Sequence, residues 1–284
     1  MEKRAQKQLI IGLIFVLIIG GIGYGLADYF FIVETTCFDK IQNGKEEGVD
    51  CGLLACGVAC EPAIMPLNVQ SQKLLEVRPG DYDFVAQINN PNSLFGSSRV
   101  RYALTLTRQD GTSLDKTGVF YILPGQTRYL IIPGINIGQT LSNPSLNISE
   151  IKWEKVQPFG DINFPVARKN YEIINRNGTF SELEATILNK SDFNFDKVEV
   201  GVILFSARGG PASGGSNTFG DIIAVGRTDI RTFLSRTERY FKVGWPVRLP
   251  QNIVRQDIEV LTNVFENSNF IKKYGTQERF QKYY

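Results

Sequence analysis

Histidine is absent from all 284 residues of the chain. Its absence excludes Ser-His-Asp and Cys-His catalysis, imidazole metal sites and the usual side-chain switch near neutral pH. A strong charge of either sign is also missing, because 31 Lys and Arg against 29 Asp and Glu leave a net charge of +2. The basic residues are scattered, so we expect no nucleic-acid binding. No phosphate-binding loop, nucleophile elbow or zinc-protease motif occurs, and we expect neither an enzyme nor a cofactor or metal site.

An uncharged and almost entirely apolar run lies near the N-terminus, at residues 9–27. As a helix it spans about 28 Å, close to the hydrocarbon core of a bilayer. Basic residues precede it, namely Lys3, Arg4 and Lys7, whereas the residues just beyond it are mostly acidic. The positive-inside rule therefore places residues 1–8 in the cytoplasm and residues 34–284 outside, with 9–33 as a signal anchor in the plasma membrane. Tyr24 and residues 29–33 supply the aromatic belt expected at an interface.

Two further interpretations concern this apolar run. Gly25-Leu26-Ala27 also fits a signal-peptidase site, so cleavage remains the alternative to an uncleaved anchor, and both export the rest of the chain. Gly21 and Gly25 are spaced four residues apart, which would let the helix pack closely on another copy in a homo-oligomer.

All four cysteines fall within 24 residues, at Cys37, Cys51, Cys56 and Cys60. An even, clustered set just outside a membrane predicts two disulfides that hold a small segment with little core of its own. Three pairings are possible. The alternative is a four-thiolate zinc site, which the spacing disfavours because thirteen residues separate the first cysteine from the next.

Between the first two cysteines lie four polar residues and a glycine: Asp39, Asn43, Glu46, Gly48 and Asp50. The segment resembles the short motif C-x-D-G-x-x-N-x-x-E-x-G-x-D-C-G-G-x-C, found beside membrane anchors or between domains of many bacterial surface proteins. Lys40 and Leu53 replace two of its glycines. A Ca²⁺ loop is the alternative to a disulfide-linked, solvated loop, but the D-x-[DN]-x-[DN]-G spacing is absent.

The remainder of the chain repeats itself in four blocks. They pair residues 84–90 (FVAQINN) with 183–189 (LEATILN), 100–106 (VRYALTL) with 198–204 (VEVGVIL), 127–130 (TRYL) with 238–241 (ERYF), and 150–153 (EIKW) with 257–260 (DIEV). Each block alternates with period two, which is typical of strands with one buried face. We expect Leu104 and Val202 in equivalent core positions, with Arg101 and Glu199 facing solvent. The repeat predicts two copies of one domain.

About seven short strands per hundred residues, separated by turn signals, favour an antiparallel β-sandwich of immunoglobulin type. The pattern resembles FxLYD-type and related Ig-like domains, which are exported, membrane-tethered modules without a known active site. The matching positions in the first copy are Ala86, Ile88, Asn90, Val100, Tyr102, Leu104, Gly111, Pro124 and Gly125. The second copy lacks the Pro-Gly pair and has Leu234-Ser235-Arg236 in its place.

Two asparagines and one loop are candidates for a functional role. Asn90 and Asn189 each follow a strand and precede a turn, where an Asn side chain commonly bonds the backbone two residues on, so we expect structural roles. The glycine-rich loop of the second copy is the predicted partner-binding segment, with inert flexibility as the alternative. Its candidate residues are Arg208, Gly209, Gly210, Pro211, Ser213, Asn217 and Phe219.

The predicted organisation is therefore all-β: two tandem antiparallel Ig-like sandwiches, at 67–158 and 159–274, preceded by one transmembrane helix and a disulfide-rich linker at 34–66. Residues 275–284 form a tail. The predicted function is non-enzymatic: the chain presents its sandwiches outside the membrane for binding other envelope or surface proteins. The alternative is an exported enzyme or small-ligand receptor with a site at the junction of the sandwiches.

Overall fold

The computed structural model describes residues 2–27, 35–108, 110–138, 141–156, 162, 164–206 and 221–270. The chain divides into two compact units, Met1–Ala63 and Ile64–Tyr284.

The first unit opens with one helix, α1, at Glu2–Ala27. Its part Gln6–Ala27 is long and apolar enough to cross a membrane, and no residue of its most apolar stretch is buried by the protein. Gly21 and Gly25 lie one turn apart on this helix with open space around their Cα atoms. The predicted belt residues 29–33 lie outside the described residues, and pairing of α1 with a second copy stays a prediction.

Residues 35–63, here called the Cys-rich knot, contain turns and two isolated antiparallel bridges, Gly48↔Cys51 and Gly52↔Val58. Regular strands are absent from this stretch. A segment this short buries too little apolar surface to fold by its core alone, and covalent links compensate.

Twelve strands fill the described part of the second unit. They are β1 Asn68–Arg78, β2 Asp81–Asn89, β3 Phe95–Arg108, β4 Ser113–Ile122, β5 Thr127–Asn136, β6 Leu141–Lys155, β7 Val166–Arg176, β8 Thr179–Leu188, β9 Phe195–Ser206, β10 Asp221–Phe233, β11 Glu238–Trp245 and β12 Ile253–Leu261. The only helical element described here is a 3₁₀ turn at Asn267–Asn269. The prediction of a chain that is mostly β after α1 is confirmed.

The strands form four three-stranded antiparallel sheets with the orders β1-β2-β5, β4-β3-β6, β11-β8-β7 and β10-β9-β12. The last two sheets repeat the strand order of the first two, with every strand number higher by six. Strands β1–β6 are here called the first half, and β7–β12 the second half. Each half has six described strands, against the seven or so expected.

Each half packs its two sheets around its own apolar core. In the first half Phe84 and Ile88 of β2 meet Val100 and Leu104 of β3. In the second half the corresponding side chains come from β8 and β9. Three large aromatic side chains, Phe195, Phe233 and Trp245, also belong to this core. Because alternate residues of a strand point to opposite faces, one face of each central strand fills its core.

The four repeated blocks lie on strands with matching places in the sheets. The first pair lies on β2 and β8, the second on β3 and β9, the third on β5 and β11, and the fourth on β6 and β12. The predicted core positions Leu104 and Val202 are both fully buried. The sequence repeat therefore corresponds to a repeated strand order.

Candidate functional site

The four cysteines of the knot form two disulfides, Cys37–Cys56 and Cys51–Cys60. This is one of the three pairings that the sequence allows. The prediction of two disulfides is confirmed, and the zinc alternative is wrong because no cysteine remains as a free thiol. The carboxylate of Glu46 lies against the Cys37–Cys56 sulfurs, but bonded sulfurs are not thiolate ligands.

Acidic side chains of the motif hold the knot's backbone. Oε2 of Glu46, which is 8% exposed, accepts the N–H groups of Asn43 and Asp50, both at 3.2 Å. The Asp50 carboxylate in turn accepts the N–H groups of Asp39 at 3.1 Å and Lys40 at 2.9 Å. These oxygens are used by the loop itself, which supports the solvated, disulfide-linked loop over a Ca²⁺ loop.

Lys40, which stands where the motif has glycine, keeps a glycine-like backbone with φ at 62°. Beside it, the Thr36 hydroxyl and the Ile41 N–H donate to the Asp39 carboxylate and lower its pKa. The local turn therefore persists despite the replacement.

Asn90 ties two turns of the first half together. Its side-chain amide donates to the carbonyls of Phe95 at 2.7 Å and Leu123 at 2.8 Å, and its Oδ1 accepts the Asn92 N–H at 3.0 Å. The residue is fully buried. The bond to the backbone two residues on is the predicted Asn turn, so the structural assignment is confirmed.

Asn189 makes the matching bonds in the second half. Its amide donates to the carbonyls of Phe193 at 2.8 Å and Leu234 at 3.0 Å, and its Oδ1 accepts the Ser191 N–H at 3.0 Å. Both asparagines therefore join the turn after the second strand of their half to the turn before the fifth. Neither has an amide free for a ligand.

The turn before the fifth strand has a different residue in each half, as the sequence indicates, but the same left-handed backbone. Gly125 has φ at 62° in the first half, and Arg236 has φ at 57° in the second. A left-handed arginine is strained. The Arg236 guanidinium reaches the Asp192 carboxylate at 2.8 Å, which offsets part of that cost.

The predicted partner-binding loop lies outside the described residues. This applies to Arg208, Gly209, Gly210, Pro211, Ser213, Asn217 and Phe219.

A third apolar cluster lies between the two halves. Val85 and Ile131 of the first half pack with Ile203, Phe205 and Val225 of the second in a buried apolar cluster. These residues point away from the cores of their own halves. We call this contact the junction.

A charged group lies beside the apolar cluster. Arg128 of β5, only 6% exposed, donates to the Tyr121 carbonyl at 2.5 Å and pairs with the Glu199 carboxylate of β9 at 3.5 Å. Lys197 holds the other Glu199 oxygen at 2.9 Å. Burial opposes ionisation of Glu199, but Lys197 and Arg128 outweigh it and lower its pKa. The prediction that Glu199 faces solvent is therefore wrong, because the first half covers that face of β9.

Glu259 of β12 provides a second carboxylate at the junction. Its two oxygens accept the Tyr129 N–H at 3.1 and 3.3 Å, a hydrogen bond that links the halves. Burial raises its pKa to about 7, against the opposing effects of the nearby Arg128 charge and the Tyr129 N–H. Glu199 and Asp257 raise it further. Glu259 thus gains or loses its proton near neutral pH.

A cavity of about 210 Å³ opens beside these groups. Arg128, Tyr121, Glu199, Glu259 and Arg227 are among its lining residues. The Tyr121 hydroxyl and the Arg128 Nε are buried without a hydrogen-bond partner among the described residues, and burial raises the Tyr121 pKa. Among these side chains, Tyr121 and Arg128 offer the two unbonded donors, Glu199 has a lowered pKa, and Glu259 has a pKa raised to about 7.

A second groove, of about 470 Å³, lies at another edge of the junction. Its polar groups are bonded within the protein: Arg78 donates to the Pro246 carbonyl at 2.8 Å, and Asp83 accepts the Gly134 N–H at 2.8 Å. The Trp245 indole N–H donates to the Val225 carbonyl at 2.8 Å. This groove therefore joins the halves and offers few unpaired groups.

Sequence reasoning missed the junction residues. A signal was present, because Val85, Ile131 and Ile203 are apolar at positions where strict alternation calls for polar residues. A strand that is apolar on both faces is covered on both faces. The sequence did not indicate which strands would meet.

No protein-family model matches the chain, and no curated protein matches it closely.

Proposed function

We propose that this chain is a non-enzymatic, membrane-anchored protein that presents two tandem Ig-like sandwiches outside the cytoplasm for binding or assembling with other envelope proteins. The main observation behind this proposal is that polar side chains of the junction bond to other groups of the protein. Arg128 is paired with Glu199, and Glu259 accepts the Tyr129 N–H. These side chains hold the halves together, whereas an active site keeps reactive groups free for a substrate.

The strand order supports the tandem sandwiches. Each half has two three-stranded antiparallel sheets facing one apolar core, which is the architecture of a small sandwich. The shared junction adds an apolar cluster and cross-half hydrogen bonds. Lys73 of β1, for example, donates to the Ile222 carbonyl of β10 at 2.8 Å. These contacts join the two proposed sandwiches to each other.

The anchor and its orientation rest on α1 and its charges. We expect residues 34–284 to lie outside, since the basic residues precede the apolar run. Protease added to intact spheroplasts should leave only a small anchored stub. A protected C-terminal domain would refute this topology.

Partner binding is tested on the glycine-rich loop. One variant replaces residues 209–219 with an Asp-Gly turn, and a matched control replaces the first-half turn at 109–112 with Asn-Gly. Both are compared with the parent for thermal stability and for proteins that co-purify from detergent. We expect the loop variant alone to lose a partner at unchanged stability. Retention of every partner by both variants would leave the loop without a binding role.

A small-ligand site at the junction is the second candidate. The observation that favours it is the pair of buried, unpartnered donors, the Tyr121 hydroxyl and the Arg128 Nε, beside the cavity. A ligand accepting from both donors would protect the fold thermally, and Tyr121→Phe would abolish that protection. If the cavity is only part of the joint, Tyr121→Phe leaves stability unchanged or higher, because it removes an unsatisfied buried hydroxyl.

A further inference from the structure

The Cys-rich knot exposes its apolar side chains to an unusual extent. Phe38 is 98% exposed and Leu54 is 95% exposed. Four other apolar side chains of the knot are more than half exposed, namely Ile41, Val49, Leu53 and Val58. An apolar side chain left in water forgoes the free energy of burial, so a concentration of such side chains in so short a segment indicates a surface that another phase or molecule covers.

The Cys37–Cys56 disulfide limits how far apart the two most exposed apolar side chains of the knot lie. Phe38 follows Cys37 directly, Leu54 precedes Cys56 by two residues, and the disulfide holds the two cysteine Cα atoms 5.7 Å apart. Chain geometry then limits the Phe38–Leu54 Cα distance to about 17 Å. The bridge Gly52↔Val58 also brings Val58 close to the leucines.

The buried side chain of the knot is polar. It is Glu46, whose carboxylate accepts backbone N–H groups of the knot. The apolar side chains of the knot thus lie on its outside, although one carboxylate is buried. Such a surface is suited to contact with an apolar medium.

Chain connectivity keeps the knot close to the end of α1. Only eight peptide steps separate Ala27, the last residue of α1, from Thr35, which limits the separation to about 28 Å. The knot has two lysines against five acidic residues, a net charge of −3. Attraction to anionic headgroups is therefore excluded as the driving force, and an apolar contact is left.

We propose that the Cys-rich knot rests on the outer surface of the bilayer that α1 crosses, with Phe38 and Leu54 inserted at the boundary of headgroups and acyl chains. The proposal depends on the proposed anchor. It assigns the knot a role beyond that of a spacer, namely contact with the bilayer surface.

The test uses the full chain in zwitterionic vesicles with brominated acyl chains. Phe38→Trp and Leu54→Trp each place a reporter at the proposed contact, Lys45→Trp is the matched control in the same knot, and the parent gives the background of Trp153 and Trp245. We expect the first two variants to lose about half of their added emission, since interfacial side chains lie roughly 5–10 Å into the boundary. Lys45→Trp should lose little, and 1 M salt should change nothing.

Vesicle flotation is measured separately on the same samples. Chains that fail to float would refute the anchor itself. Chains that float without quenching at positions 38 and 54, or with equal quenching at 45, would overturn the seating of the knot. A blue-shifted emission without bromine quenching would mean that protein covers the surface, which also overturns it.

Discussion

At the scale of single residues, Asn90 shows how much one buried amide does. Asn90→Ala would leave the carbonyls of Phe95 and Leu123 and the N–H of Asn92 without their partner. Buried groups left unsatisfied cost about 1–3 kcal/mol each, with partial relief from water. We expect a loss of about 2–4 kcal/mol in the free energy of unfolding, measured by urea denaturation.

The neighbouring Asn89 is the control for this prediction. Its amide bonds only the exposed Thr127 hydroxyl, so Asn89→Ala should cost about 0.5 kcal/mol or less. Equal losses for the two variants would mean that the buried network contributes little. Asn189→Ala should repeat the effect of Asn90→Ala, since its bonds match.

At the scale of strands, β3 and β9 test the register. Leu104→Ala should cost roughly 2–4 kcal/mol and Val202→Ala somewhat less, because both side chains are fully buried. Arg101→Ala should change stability by about 0.5 kcal/mol or less, since its pair with Glu150 is exposed. Urea denaturation of these three variants and of Glu199→Ala measures the free energies of unfolding.

Glu199→Ala separates the core register from the junction. Removing this carboxylate leaves the buried Arg128 without its ion-pair partner. We expect a loss of about 1–3 kcal/mol, well above that of Arg101→Ala. A loss as small as that of Arg101→Ala would mean that Glu199 faces solvent after all.

These strands also show what sequence could predict. Alternation located the strands and the core positions Leu104 and Val202, because one face of each strand is fixed by local pattern. It placed Glu199 in solvent because that residue's partner, Arg128, lies 71 positions away on another sheet. Contacts between outer faces depend on docking of the halves, and no local pattern encodes that.

The disulfides of the knot give the next prediction. Closing loops of this length is worth about 3 kcal/mol each in the chain-entropy model. Mass spectrometry with partial reduction should find Cys37 linked to Cys56 and Cys51 to Cys60, with no free thiol under denaturing, non-reducing conditions. Linkage of Cys37 to Cys51 or Cys60 would contradict the structure.

At the scale of the whole molecule, the junction should make stability depend on pH near neutrality. The pKa of Glu259 is raised by burial to about 7 in the folded chain, above its ordinary value of 4.5. Ionising it therefore costs folding free energy: the cost is absent below the unfolded pKa and fully present above the folded one. Stability should rise by about 2 kcal/mol as the pH falls from 8.5 to 5.5, at about 1.4 kcal/mol per pKa unit.

Two properties of the chain reduce the contribution of other titrating groups between pH 5.5 and 8.5. Histidine is absent, and Glu199, whose pKa is lowered, loses its contribution only at more acidic pH. Urea unfolding across the window should therefore flatten in Glu259→Gln, which keeps the shape but cannot ionise. Asp83, whose pKa burial also raises, is controlled by Asp83→Asn, which should leave most of the slope. A Glu259→Gln variant with the parent's slope would show that this carboxylate titrates normally, and hence that water reaches the joint between the halves.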